Sequence, residues 1–156
     1  MTTDLTRFTA ACVQMQGTRT MDANIEAASA MIREAAKAGA DYVQTPEQTA
    51  IMELDTARVF EQITGEADDR ALAAFRKLAA ELGVWLHIGS LAIRISETQG
   101  ANRAFVITPE GEIAARYDKI HMFDVDLPNG ETYRESKTYR PGTAAVVADL
   151  PWARFG

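Results

Sequence analysis

One cysteine in 156 residues excludes an internal disulfide and any CxxC metal pair, a usage that fits a reducing compartment. Basic residues are in deficit: 16 Lys and Arg stand against 22 Asp and Glu, a net charge of -6. That balance argues against the clustered basic face of a nucleic-acid binder and the polybasic patch of a membrane-surface protein, so small-molecule chemistry is expected. No apolar run approaches the roughly 20 residues of a membrane span. The stretch Met1–Arg7 also lacks a basic segment followed by an apolar one, and a cytoplasmic location is expected. Internal repeats, low-complexity tracts and linkers are missing too, which reads residues 1–156 as one domain.

What is there is an ordinary globular composition, 47% hydrophobic and 24% charged, with strand and helix patterns in alternation. Phe8 to Met15 is mostly apolar and reads as a strand buried on both faces, with Cys12 packed inside it as a small hydrophobe rather than a reactive thiol. Between Asp22 and Ala38, Ile25, Ala28, Ile32 and Ala35 recur at helical spacing, with Asp22 or Asn24 as N-cap and Gly39 as C-cap. Asp41 to Thr45 is a short strand closed by Pro46, and Glu47 stands where it gives way to a loop. After a mixed stretch from Gln48 to Gly65, Leu72, Phe75, Leu78, Ala79 and Leu82 mark one face of a helix from Asp68 to Leu82, ended by Gly83.

Val84 to Ser90 is the next strand. His87 alternates with apolar neighbours there and has no second ligand at usable spacing, so it is expected to be a hydrogen-bonded wall histidine with neither metal nor catalytic duty. Ala104 to Thr108 and Ile113 to Tyr117 flank Pro109-Glu110-Gly111 as the arms of a β-hairpin, and a last strand begins over Ala144 to Ala148. Strand, helix and strand in succession give an α/β fold class, in which functional groups collect at strand ends. The second hairpin arm delivers Lys119 into a long loop, Arg116 to Gly142, broken by Pro128, Asn129 and Gly130. Loops of this length inside a compact domain are uncommon and are more often functional than incidental. By pattern alone, Glu47 and Lys119 are either two ordinary solvated charges or two functional groups at strand ends.

Four segments bear on that choice. Thr-Pro-Glu at 45–47, Tyr-Asp-Lys-Ile-His at 117–121, Phe-Asp-Val-Asp-Leu-Pro at 123–128 and Tyr-Arg-Glu-Ser at 133–136 together resemble the nitrilase, or carbon-nitrogen hydrolase, superfamily. The resemblance runs from about Phe8 to the C-terminus. It is similar above all to the branch of omega-amidases and deaminated-glutathione amidases, where a Lys-Ile-His-(apolar)-Phe-Asp segment precedes a Glu-Ser. By position it implies Glu47 as general base, Lys119 as the oxyanion-stabilising lysine, and Glu135 as a second glutamate that positions the lysine and the substrate. The family's nucleophile, a cysteine on a later strand, has no counterpart before Gly156. Cys12 falls in the first strand, where the family carries an apolar or small core residue.

The implied fold is an α-β-β-α sandwich, of which these residues would be about the first half: a carbon-nitrogen hydrolase domain incomplete at its C-terminus. The implied chemistry needs no metal and no organic cofactor. Thiol-dependent amide hydrolysis needs a carboxylate that takes the S–H proton and returns it to the leaving ammonia, and a fixed ammonium for the charge that develops on the carbonyl oxygen. Three functions remain open on the sequence. The chain is the N-terminal part of an amidase for a small linear amide, or a non-catalytic subunit that binds a partner chain, or a small enzyme that uses Cys12. An incomplete sandwich would also pair with itself or with the missing half. The resemblance predicts that Glu47 and Lys119 converge on one cleft with Glu135 nearby.

Overall fold

A computed structural model describes residues 7–156, so nearly all of the Met1–Arg7 stretch lies outside it. Three strands come first, β1 (Ala10–Cys12), β2 (Tyr42–Gln44) and β3 (Trp85–Arg94), joined by the helices α1 (Met21–Lys37), α2 (Thr56–Gln62) and α3 (Arg70–Leu82). They pair in parallel, in the register Ala11 to Val43 to Leu86. Two antiparallel strands, β4 (Gly100–Ile107) and β5 (Ile113–Asp118), complete a five-stranded sheet whose order follows the chain.

The helical periods dictate which face they cover. Ala28 and Ile32 of α1 and Phe75, Leu78 and Ala79 of α3 are buried against Val43, Leu86, Ile88, Phe105 and Ile107 of the sheet. Each helix end is made by a local device: the Asp69 carboxylate accepts the Leu72 N–H at 2.7 Å to start α3, and Gly83 at φ 66° stops it. Thr20, rather than Asp22 or Asn24, is the N-cap of α1. Asn24 instead turns inward, where its Nδ2 donates to the carbonyls of Thr18 at 2.7 Å and Ala50 at 3.0 Å.

The opposite face of the sheet is met by the end of the chain. The short strands β8 (Ala148–Asp149) and β9 (Arg154–Phe155) form a hairpin there; Phe155 lies 5.6 Å from Tyr42 and 5.2 Å from His87, and Trp152 stacks on Phe8 at 4.9 Å. The fold class is α/β, one helical layer on one mixed sheet.

Three further expectations change. Cys12 is exposed, not buried. The reason is position: β1 is an edge strand that pairs only with β2, and its residues alternate, with Ala11, Val13 and Met15 turned to the core and Cys12 and Gln14 turned to solvent. The mixed stretch from Gln48 to Gly65 contains α2, begun by Asp55, whose carboxylate accepts the Arg58 N–H at 3.2 Å. The loop from Arg116 to Gly142 is only partly irregular. It folds back on itself as β6 (Asp124–Asp126) and β7 (Thr132–Arg134), turning over Pro128-Asn129-Gly130 with Gly130 at φ 87°.

Candidate active site

Glu47 leaves the end of β2 in a turn clamped onto β3. The Thr45 and Thr49 hydroxyls share a hydrogen bond of 2.7 Å, Thr49 also donates to the Pro46 carbonyl at 2.6 Å, and the Gln48 N–H donates to Ser90 Oγ at 2.8 Å. Thr45, Thr49 and Ser90 are all buried, so this polar clamp is satisfied out of water. The approach is close enough to require Gly89, since a Cβ there would fall 2.6 Å from the Pro46 carbonyl. Gln48 pays in conformation, at φ 54°.

Lys119 follows the last residue of β5. Its N–H donates to the Asn102 carbonyl at 2.9 Å and its carbonyl accepts from Gly142, which continues the β4 ladder one step past the strand. The preceding residue is fixed on the other face, where Arg103 grips Asp118 at 2.6 and 2.9 Å and reaches Glu66 at 2.8 Å. Alternation along β5 therefore turns Lys119 toward the face away from the helices. Glu135 opens a single 3-10 turn after β7. Its backbone pairs with Phe123 and its carbonyl accepts from Thr138 and Tyr139, whose neighbour contact with Gly100 ties the turn to the sheet.

The three groups meet. Lys119 Nζ donates to Glu47 Oε1 and to Glu135 Oε2, each at 2.8 Å. Exposure falls across the cluster, from 55% for the Glu47 side chain through 27% for Lys119 to 13% for Glu135. Both oxygens of Glu135 are occupied, Oε2 by Lys119 and by the Phe123 N–H at 2.7 Å, Oε1 by Asn102 Nδ2 at 3.0 Å. Glu47 is different. Its Oε1 takes both Lys119 and Asn102, the latter at 2.7 Å, and its Oε2 has no hydrogen-bond partner among the described residues. Of the three Nζ hydrogens two are directed at carboxylates, which leaves one without a partner among the described residues.

Electrostatics follow from these contacts. Burial works to raise the Glu135 carboxyl, but Lys119, the Phe123 N–H and Asn102 outweigh it and hold it below its ordinary value. Burial likewise opposes the Lys119 ammonium, and the Glu135 and Glu47 carboxylates reverse that and hold it above the ordinary lysine value. Tyr139, buried beside the cluster, is pushed up to about 12, chiefly by burial. Glu47, Lys119 and Glu135 open on a cavity of about 540 Å³ walled by Gln48, Met52, Phe123, Tyr133 and Tyr139. Glu47 and Lys119 also border a smaller one of about 230 Å³ with Asn102 and Tyr117.

Cys12 lines neither cavity. His87 lies on the sheet face with its Nδ1 2.9 Å from the Tyr42 hydroxyl, and burial holds it below the ordinary histidine value. Among the described residues no group of three His, Cys, Asp or Glu side chains could hold a metal ion, and no helix is long and apolar enough to cross a membrane. Asn102 escaped the sequence reading, because a lone amide inside an apolar strand carries no motif.

The family profile described as carbon-nitrogen hydrolase matches residues 9–156. The chain belongs to the carbon-nitrogen hydrolase family. Within that family it is 32% identical to the human protein named omega-amidase NIT2, over 97% of this chain and 54% of that one. It is 36% identical to a deaminated glutathione amidase of Yersinia enterocolitica, over 76% of this chain and 42% of the relative. This carbon-nitrogen hydrolase chain thus spans about half the length of the curated relatives it matches. Among solved structures, the NitFhit protein of C. elegans superposes with a TM-score of 0.83 at 25% identity, over 94% of this chain and 36% of that one. The NitN amidase from Neterenkonia sp. AN1 superposes at 0.78 with 21% identity, over 95% of this chain and 55% of that one, a likeness of fold.

Proposed function

We propose that Glu47, Lys119 and Glu135 are the base-and-oxyanion half of a thiol-dependent amidase centre, acting on a small linear amide with a cysteine these 156 residues do not supply. The observation that carries this reading is the unequal use of the two carboxylates. Both oxygens of Glu135 have partners, whereas Oε2 of Glu47, a residue that lines the cavity, has none among the described residues. Glu47 is therefore the carboxylate able to accept a proton, and Glu135 the one that holds Lys119 charged and aimed.

In this mechanism the thiol sulfur attacks the amide carbonyl carbon as Glu47 takes the S–H proton. Charge appears on the carbonyl oxygen, where the third N–H of Lys119 stabilises it in a site drier than bulk water. The C–N bond then breaks, and Glu47 returns its proton to the departing ammonia. Water, deprotonated by Glu47, cleaves the thioester and frees the carboxylic acid and the thiol. The omega-amidase and deaminated glutathione amidase relatives support a short, linear amide as substrate.

The test is ammonia release from short ω-amides of dicarboxylic acids. The chain alone should release none, and joining it to the C-terminal half of a related amidase should restore turnover. That turnover should collapse on Glu47→Gln and on Lys119→Ala and survive Cys12→Ala. Activity of the isolated chain that Cys12→Ala abolishes would overturn the reading. A joined protein that folds, binds its other half and never turns over would favour a non-catalytic subunit instead.

A further inference from the structure

We propose that Asn102 is the positioning residue of this centre: its side-chain amide pins one oxygen of each glutamate and so fixes which oxygen of Glu47 stays free. The inference rests on the reading of the cluster as an amidase centre. Asn102 is 2% exposed and sits in β4, whose neighbours are β3 and β5. Its Nδ2 donates to Glu47 Oε1 at 2.7 Å and to Glu135 Oε1 at 3.0 Å, so both amide hydrogens are spent on carboxylates. Its own backbone carbonyl accepts from the Lys119 N–H at 2.9 Å. One residue thereby touches all three members of the cluster, two through its side chain and one through its backbone.

The cost shows in the same side chain. Among the described residues, Asn102 Oδ1 is buried without a partner. An unpaired buried acceptor is unfavourable, and a residue needed only to fill the strand would be apolar there. Turning the amide over would satisfy nothing, because Oδ1 would then face two carboxylates. The observed orientation is the one the charges select.

A neutral donor suits the task better than a second cation. The cluster holds two carboxylates against one ammonium, and the proposed mechanism has Glu47 take a proton. An Arg or Lys at position 102 would put a second positive charge beside the carboxylate that has to accept the proton. An amide holds both carboxylates without adding charge. With Oε1 of Glu47 held by both Lys119 and Asn102, the carboxylate is restrained in orientation and Oε2 is left as the oxygen without a partner among the described residues.

The test separates positioning from packing and does not depend on turnover. Glutamate carboxyl carbons are labelled in the whole chain, the Glu135 signal is assigned by its loss in Glu135→Gln, and the signal is titrated in Asn102→Leu, which keeps the branched skeleton of the side chain and removes both donors. Lys119, the Phe123 N–H and Asn102 favour the ionised form of Glu135, while the Glu47 carboxylate and the Tyr139 side chain also face it, so the variant removes one of three favourable interactions and leaves the other neighbours in place. The Glu135 titration is expected to move to higher pH in Asn102→Leu and by less in Asn102→Ser, which retains one hydroxyl donor. Should Asn102→Leu lose its native amide spectrum, Asn102→Ser decides alone. A Glu135 titration unchanged in a natively folded variant, with only a lower melting temperature, would overturn the proposal.

The amidase joined from two halves adds a second readout. There Asn102→Leu should lower kcat by roughly ten- to a hundredfold with little change in KM, the pattern of a misaimed base rather than a lost binding contact. A shifted titration in a joined protein that hydrolyses no amide would leave the positioning role standing and remove the enzymatic reading. An unshifted titration in an active one would do the reverse.

Discussion

Replacing Lys119 by Met keeps the apolar stem of the side chain and deletes the charge, so the effect on stability isolates the ion-pair cluster. Two arms are lost. The arm to Glu135 is the stronger: that carboxylate is 13% exposed at 2.8 Å, and a hydrogen bond to a charged group of this kind contributes about 1.5–3 kcal/mol. The arm to Glu47 reaches a side chain that is 55% exposed and adds below about 1 kcal/mol. Part of this gain is offset by the desolvation of Lys119, which the variant no longer suffers. The net expectation at pH 7 is a loss of about 2 kcal/mol, read in urea as a midpoint shift of roughly 1 M at a slope near 2 kcal/mol/M.

The sign of its pH dependence follows from the two groups. Glu135 is held below its ordinary 4.5, so its contribution is present above that value and is lost as pH falls through the lower folded value. Lys119 is held above its ordinary 10.5, so its contribution is present below that value and is lost only as pH rises beyond it. Both are in force at pH 7. As pH falls below 4.5 the Glu135 carboxyl protonates in the variant first, and the stabilities of the two proteins should converge. Urea titrations at neutral pH and at about pH 3 make the comparison. A gap of the same size at both values, or none at pH 7, would refute this account of the cluster.

Three further outcomes can be checked on the same chain. Cys12 should react with a thiol reagent in the folded protein at close to the rate seen in urea, because it is exposed; a thiol that reacts only on unfolding would contradict the edge-strand placement. Gly89→Ala should lower the unfolding free energy by about 1–3 kcal/mol and displace the turn that carries Glu47, since its Cβ would press on Pro46; crosspeaks for residues 45–49 that stay unmoved would count against the clamp. Asp69→Ala should cost about 1 kcal/mol, or roughly 2–4 °C in melting temperature, through loss of the bond to the Leu72 N–H.

The helices α1 and α3 were legible in the residues themselves, because their apolar positions, Ala28 and Ile32 in one and Phe75, Leu78 and Ala79 in the other, repeat at the period of a helix and Gly39 and Gly83 supply the left-handed residues that end them, whereas the shorter α2 was not. The Pro109-Glu110-Gly111 turn was equally local, and so the hairpin that carries Lys119 followed from a few neighbouring residues. The choice of Glu47, Lys119 and Glu135 as a proposed site rested on resemblance alone, since nothing in a single acidic or basic residue at a strand end distinguishes function from solvation.

The exposure of Cys12 was decided by strand order. An apolar-looking strand is buried on both faces only if strands or layers flank it, and β1 has a single neighbour. Asn102 was decided by register. Its place in β4 brings its amide between the end of β2 and the turn after β7, 55 residues from Glu47 and 33 from Glu135 along the chain. Which oxygen of Glu47 remains free depends on where four side chains from four separate segments come to rest. Local periodicity can specify an element and its buried face; hydrogen bonds between groups so far apart in sequence exist only once the sheet has assembled.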